Sequence, residues 1–325
     1  MSALPNFTKL SALIATTLVV LGAVVGCAGD RSGDAESLTL GWVVDPSWAQ
    51  VPVARDLGYF TQQHVNVKIV PFPTGAAALE ALAGGAVDIA NGGDVPTSAA
   101  VLKNPRIRVI ADGSRWPEGR FVARRSAGIN SIADLAGRKI AVPLGSSAHF
   151  FASKFLSDAH VEADLVHTGP AEIVTAIANR DVDAIAVFQP ALSKAVDALD
   201  GDVIELQGAQ KYNQHSLFLA NADAVDSKRS AVSRFVAAVA RADGPLTERR
   251  PEALAAVSKA VGLDAKLIGV VTAEFEYKTG IGAELAPDLA DRARWAQGIG
   301  RIPADQKLPD YQSVIVPSFV QENHS

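Results

Sequence analysis

Short apolar runs that read as strands alternate with helical stretches along nearly the whole chain, and this alternation limits the possible folds more than any other feature. Leu38–Val44 is strand-like, with Thr39 and Val43-Val44. Pro46 and Ser47 break it, and Val51–Leu57 reads as a helix closed by Gly58. Val65–Ile69 alternates apolar and polar residues, the period of a half-buried strand. Thr74–Ala83 places Leu79 and Leu82 on one helical face, and Gly84-Gly85 stop it. Val87–Ala90 then reads as strand, Gly92-Gly93 as a tight turn, Thr97–Leu102 as helix and Ile107–Ala111 as strand. This βαβα order predicts an α/β fold with a mainly parallel sheet.

The pattern restarts at Phe121-Val122-Ala123. Ser131 and Asp134 have the spacing of an N-terminal capping pair, and Gly137 closes that short helix. Lys139–Val142 (strand), Ser147–Ala159 (helix) and Asp164–His167 (strand) follow. Pro170 suits a first helical turn ahead of Ala171–Asn179. Asp183–Phe188 is strand, Pro190 begins another helix, and Leu217–Ala220 is a short apolar strand. The remainder is mostly helical: Lys228–Ala242, Pro251–Val261, Ala265–Phe275 and Pro287–Gly298. Two α/β units of similar grammar, followed by helices, suggest two lobes rather than a tandem repeat.

The N-terminus has its own logic. Residues 1–26 carry one charged side chain, Lys9, then an apolar run from Leu10 to Val25 that ends Val24-Val25-Gly26-Cys27. This is the layout of a secretory signal with a small-residue cleavage site. It also resembles the lipobox of bacterial lipoproteins, which implies lipidation of Cys27. The competing reading is a buried thiol ending a transmembrane helix, for which the stretch is a little short. Residues 27–37 read as a lipidated Cys and flexible tether. About 300 residues remain beyond the signal, enough for two lobes. No later apolar run approaches membrane-spanning length. With a single Cys in 325 residues, no internal disulfide or thiolate metal site can form. The net charge of −5 argues against general nucleic-acid binding. No cofactor and no metal site is expected.

Several segments, in order, carry a resemblance to a known family. Gly58-Tyr59-Phe60 with Val65–Val70 is like a G-x-F turn and second strand. Residues 81–90, Ala-Leu-Ala-Gly-Gly-Ala-Val-Asp-Ile-Ala, are like an AL-x-G-x-VDI element. Ser131–Pro143 is like sl-x-DL-x-GK-x-IavP. Ala176–Arg180, Asp181–Ala184 and Phe188-Gln189-Pro190 are like Al-x-x-G-x-vDA…w-x-P, and Asp310-Tyr311-Gln312 up to Phe319-Val320 is like the family's end. The chain thereby resembles the solute-binding proteins of ABC importers, specifically the taurine/aliphatic-sulfonate/nitrate branch. The resemblance implies a two-lobed, type II periplasmic-binding-protein-like fold, each lobe a mainly parallel sheet flanked by helices. Lobe one is expected at residues 38–118 plus 217–325 and lobe two at 119–216, hinged on two crossover segments, Phe121–Ala123 and Leu217–Ala220. It further implies a monomer outside the cytosol that captures a small molecule and delivers it to an ABC permease with its ATPase, held on the bilayer through Cys27.

The cleft can also be read from the residues. Ligands of parallel α/β sheets bind beyond the carboxyl ends of strands, which selects the loops Asp45–Trp48, Gly92–Pro96, Asp112–Trp116, Leu144–His149 and Gln189-Pro190. The candidate contacts are Pro46, Ser47, Trp48, Gly93, Asp94, Arg115, Ser146, Ser147, His149, Phe188 and Gln189. Ser146 and Ser147 open a helix where free N–H groups and the helix dipole favour an anion, or they simply cap that helix. His149 is a ligand contact or a helix-surface residue. Arg115 offers a fork of donors or pairs with Asp112 or Glu118. Trp48 and Trp116 are cleft walls or packing residues. Phe188 stands where the family often has a larger aromatic, with Gln189 beside it.

Asp94 departs from the resemblance, where Ser or Thr is common. A carboxylate facing an anion in a closed cleft is repulsive. Asp94 therefore caps the helix that follows, or binds an ammonium, or the ligand is not an anion. Amino-sulfonate binders tend to carry an acid at the position of Ser216, and this chain does not. Sulfonates, taurine-like zwitterions and nitrate lead the expected ligands, with thiamine-precursor pyrimidines and other small heteroaromatics as alternatives. A binding module serving a sensor is the rival role. No G-x-S-x-G, Walker, G-x-G-x-x-G or H-E-x-x-H pattern points to an enzyme.

Overall fold

The computed structural model describes residues 36–321. The signal segment, Cys27 and the tether up to residue 35 lie outside them. The strands, in chain order, are β1 (Glu36–Val43), β2 (Val65–Phe72), β3 (Ile89–Gly93), β4 (Ile107–Trp116), β5 (Phe121–Ala123), β6 (Lys139–Val142), β7 (Asp164–His167), β8 (Ala184–Ala186), β9 (Ile204–Leu206), β10 (Gln214–Asn221) and β11 (Glu276–Gly280). Between the early strands lie α1 (Gln50–Asp56), α2 (Tyr59–Gln62), α3 (Gly75–Ala83) and α4 (Asp94–Lys103). The second half adds α5 (Ser147–Asp158), α6 (Ile173–Ala178), α7 (Ala191–Ala198), α8 (Ala222–Ser227), α9 (Arg229–Arg241), α10 (Asp243–Thr247), α11 (Pro251–Val261), α12 (Ala265–Thr272), α13 (Leu285–Gly298) and α14 (Ser318–Gln321).

Local chemistry accounts for many boundaries. Thr74 caps α3 by accepting from the Ala77 N–H, and Asp264 caps α12 by accepting from Leu267 N–H. The Ser131/Asp134 pair forms a capping box on a 3₁₀ turn, Ile132–Leu135. Pro170 does not sit in a helical turn. Residues 170–172 are a turn and α6 starts at Ile173.

The strands form two sheets, ordered β11-β4-β10-β3-β1-β2 and β7-β6-β8-β5-β9. The α/β class is as the sequence implies, but the sheets are mixed rather than mainly parallel. The βαβ portions pair in parallel (β1 with β2 and β3, β6 with β7 and β8). The strands next to a change of sheet run antiparallel: β10 against β3 and β4, and β5 against β8 and β9. A chain that leaves one sheet and later returns re-enters without a crossover helix, so its direction is free to reverse. The segments expected as crossings, Phe121–Ala123 and Leu217–Ala220, are strands inside the sheets. The chain passes between sheets at residues 117–120 and 207–213. β9 and β11 escaped the sequence reading because one is three residues long and the other carries one apolar side chain, Tyr277.

Two hydrophobic clusters match the two sheets. The first joins β1, β3, β4 and β10 to α9 and α13 through Leu40, Ile89, Phe218, Phe235 and Leu289. The second surrounds β5, β6 and β8 and also takes in Leu246, Val257, Ile268 and Phe275 from the helices that follow β10. Trp116 is fully buried in it, stacked on Phe275 at 6.2 Å and edge-on to Phe151 at 6.3 Å. Among the described residues no helix is long and apolar enough to cross a membrane.

Candidate functional site

A cavity of about 370 Å³ opens where the carboxyl ends of strands from both sheets face one another. The loops after β1, β2 and β3 supply one side. The loops after β6, β7 and β8 supply the other, and Gln214 enters from the start of β10. Ser47, Trp48, Gly93, Ser146, Ser147 and Phe188 all line it. Much of its wall is apolar, including Val43, Val44, Leu144 and the prolines at 73, 96, 143, 170 and 190.

On the side of the second sheet, the chain turns at Gly145, whose φ of +86° suits glycine, and enters α5. Ser146 caps the helix, its hydroxyl accepting from Ala148 N–H at 3.2 Å and His149 N–H at 3.4 Å. Two imidazoles brace the loop: Leu144 N–H donates to His167 Nδ1 and Gly145 N–H to His149 Nδ1, each at 3.2 Å. Both rings therefore carry their proton on Nε2 when neutral. His149 stays neutral, its pKa pushed down to about 4 by burial and secondarily by Arg301. It sits edge-on to Trp295, 4.9 Å between ring centres, and is not a lining residue, whereas His167 is.

Asp94 begins α4 and is fully buried, but it does not line the cavity. Its Oδ1 accepts from Ser147 Oγ at 2.7 Å and from Val95 N–H at 2.8 Å. Its Oδ2 accepts from Tyr212 Oη and, at 3.2 Å, from Arg292 Nε. The Arg292 guanidinium lies 4.6 Å over the Phe150 ring and 5.1 Å over Tyr212. Although burial disfavours that cation, Asp94, Tyr212 and Asp288 hold its pKa above the ordinary value. Burial, then Asp94, keeps the Tyr212 phenol well above its usual range. Asp94 thus ties α4 to α5, to the 207–213 segment and to α13. The protein supplies its counter-charge.

At the end of β1, Asp45 caps a 3₁₀ turn, Pro46–Trp48, and Oδ1 accepts both the Ser47 N–H (2.7 Å) and Ser47 Oγ–H (2.6 Å). Asp45 is 6% exposed and lines the cavity. Burial pushes its carboxyl up to about 6 against the pull of the two Ser47 bonds. Pro46 is buried, its carbonyl accepting from Tyr277 Oη at 2.9 Å. Trp48 donates from Nε1 to the Leu217 carbonyl at 3.2 Å, which fixes its ring as a wall.

Arg115 lies away from this cavity, paired with Asp112 and with Glu284. Gln189 is fully buried and also does not line it. Its amide donates to Glu274 at 2.8 Å and accepts from Ser193 N–H at 3.2 Å. Sequence reasoning missed Asp45, His167 and Gln214 as lining groups and Arg292 as the partner of Asp94. Asp45 was legible as the first residue of a strand-end loop. Arg292 was not, since 198 residues separate it from Asp94. Among the described residues no Lys or Arg lines the cavity and no cluster of three or more metal-ligating side chains occurs. The chemistry available is non-covalent: the Ser147 N–H and Ser146 hydroxyl at the start of α5, an acceptor at Asp45, the Gln214 amide, and apolar walls between.

A family model described as NMT1/THI5 like matches residues 45–253. A putative aliphatic sulfonates-binding protein of Escherichia coli K12 is 29% identical over 208 residues, 62% of this chain and 65% of the relative, so the match spans just under two thirds of that protein. The taurine-binding periplasmic protein of the same organism is 23% identical over 270 residues, 77% of this chain and 82% of the relative. Among solved structures, the periplasmic aliphatic sulphonate binding protein SsuA from Escherichia coli superposes with a TM-score of 0.73 at 24% identity. That superposition covers 86% of this chain and 97% of that one, and it carries the fold.

Proposed function

Because the chain belongs to the NMT1/THI5-like family, we propose that it is the extracytoplasmic solute-binding component of an ABC importer, with a small polar organic or sulfonate-like molecule as its ligand. The observation that carries this reading is the cavity of about 370 Å³ built from strand-end loops of both sheets. A ligand there touches both halves at once, so closing the halves about the 117–120 and 207–213 segments trades solvent contact for ligand contact. Ser47, Trp48, Gly93, Ser146, Ser147 and Phe188 would meet the ligand. The N-terminal end of α5 supplies donors to an anionic group, and Trp48 and Phe188 bound its apolar part. Cys27 would carry the lipid that holds the protein at the membrane near the permease and its ATPase, and two or more acyl chains make that anchor firm. The protein would act as a monomer and return its ligand chemically unchanged.

A thermal-shift panel of sulfonates, amino-sulfonates, nitrate, pyrimidines and amino acids tests the reading. A ligand at about 100 times its Kd adds roughly 2.7 kcal/mol, several degrees for a protein of this size. A flat panel, or recovery of an added compound as a different product, overturns it.

A further inference from the structure

The two sides of the cavity differ in electrical sense. The α5 side presents the Ser147 N–H, the Ser146 hydroxyl and the positive end of a helix of twelve residues, the neighbouring N–H groups being bonded within the loop. On the other side the loop after β1 presents a carboxylate and β10 brings the Gln214 amide into the wall. Asp45 places a buried carboxylate in the wall with both Ser47 donors on Oδ1. Oδ2 makes no hydrogen bond within the described residues, and no Lys or Arg lines the cavity to balance the charge. Gln214, 5% exposed in the same wall, has a buried side-chain carbonyl oxygen with no partner. A buried carboxylate without a counter-charge and an amide oxygen without a donor are both unfavourable in the protein alone. One ligand feature would relieve them together.

We infer that Asp45 selects the ligand's charge pattern: with Gln214 it receives an ammonium or N–H group, while the start of α5 holds an oxyanion at the other side of the cleft. The favoured solute is then a compact dipolar molecule with a donor-bearing end, rather than a plain anion. Asp94, the acid that the sequence singled out, cannot serve, because Arg292, Tyr212 and Ser147 already saturate it.

This inference rests on the solute-binding reading, and the test separates the two. Calorimetric titration compares 2-aminoethanesulfonate with ethanesulfonate, which differ only by the amine, on the wild-type protein and on Asp45→Asn. The asparagine keeps an oxygen for both Ser47 donors. The wild type should favour the amine by about tenfold or more, the worth of a charged hydrogen bond, and Asp45→Asn should abolish that preference while ethanesulfonate binds as well or better. Gln214→Met should shrink the preference in the same direction, and it carries the test alone if Asp45→Asn fails to fold. A preference that is absent, or unchanged in the variants, overturns the inference and leaves the function standing. Binding of neither probe, with another solute of the panel bound, does the same. If no solute binds at all, the function falls and the inference with it.

Discussion

Replacing Arg292 with Met probes the node that joins α4, α5 and α13. The Arg292 side chain is 6% exposed and Asp94 is wholly buried. Removing the guanidinium leaves Asp94 with hydroxyl and amide donors but no cation, and Asp288 loses a bond at 3.2 Å. Breaking a buried ion pair costs about 3–5 kcal/mol. Asp94 keeps the Ser147, Tyr212 and Val95 donors, which favours the lower end, and the Met thioether restores part of the contact with Phe150 and Tyr212. The expected loss is about 3 kcal/mol, and roughly 6–9 °C in Tm for a domain of this size. Asp94→Asn should cost less, about 1–2 kcal/mol, because Arg292 retains Asp288 and Asp291. Urea unfolding should show a lower midpoint at constant m for each variant, and the double variant should be less damaged than the sum of the singles by about 1–3 kcal/mol. Additivity within about 0.5 kcal/mol, or an undamaged Arg292→Met, would refute the pairing and return Asp94 to the list of groups facing the ligand.

Two further outcomes follow from buried groups. His215 is held between Asp112 and Asp288, and although burial favours the neutral ring, those hydrogen bonds outweigh it and the opposing Arg115, lifting its pKa to about 9. With an unfolded value near 6.5, its contribution of about 3 kcal/mol is complete below pH ~6.5 and fades as pH rises through 9. Chemical denaturation at a series of pH values should show that slope, and His215→Gln should lack it. Gly113→Ala would bring a methyl group within 2.6 Å of the buried Phe218 ring and 3.3 Å of the Gln50 amide. It should destabilise by about 1–3 kcal/mol, read from the denaturation midpoint, and a neutral result would mean that β4 shifts to make room.

Where neighbours in sequence settle a conformation, the sequence was enough. The apolar runs of β1, β5, β6 and β7, the glycine stops, the capping box at Ser131 and the cap at Ser146 depend on contacts within about four residues, and patterning reports these directly. Loops after β1, β3, β6 and β8 were recognisable as cleft loops because strand ends in an α/β chain converge on one side. Tertiary structure decided everything that required choosing a distant partner. Strand direction at β10 depends on how the chain returns from the other sheet. Asp94 meets Arg292, Arg115 meets Glu284 and Gln189 meets Glu274 across long stretches of chain. A charged side chain carries no local mark of its partner, because the pairing energy arises only when folding removes both from water and brings them within a few ångströms. The same reason hid Gln214: its unmet hydrogen-bonding capacity exists only once the two sheets have enclosed it.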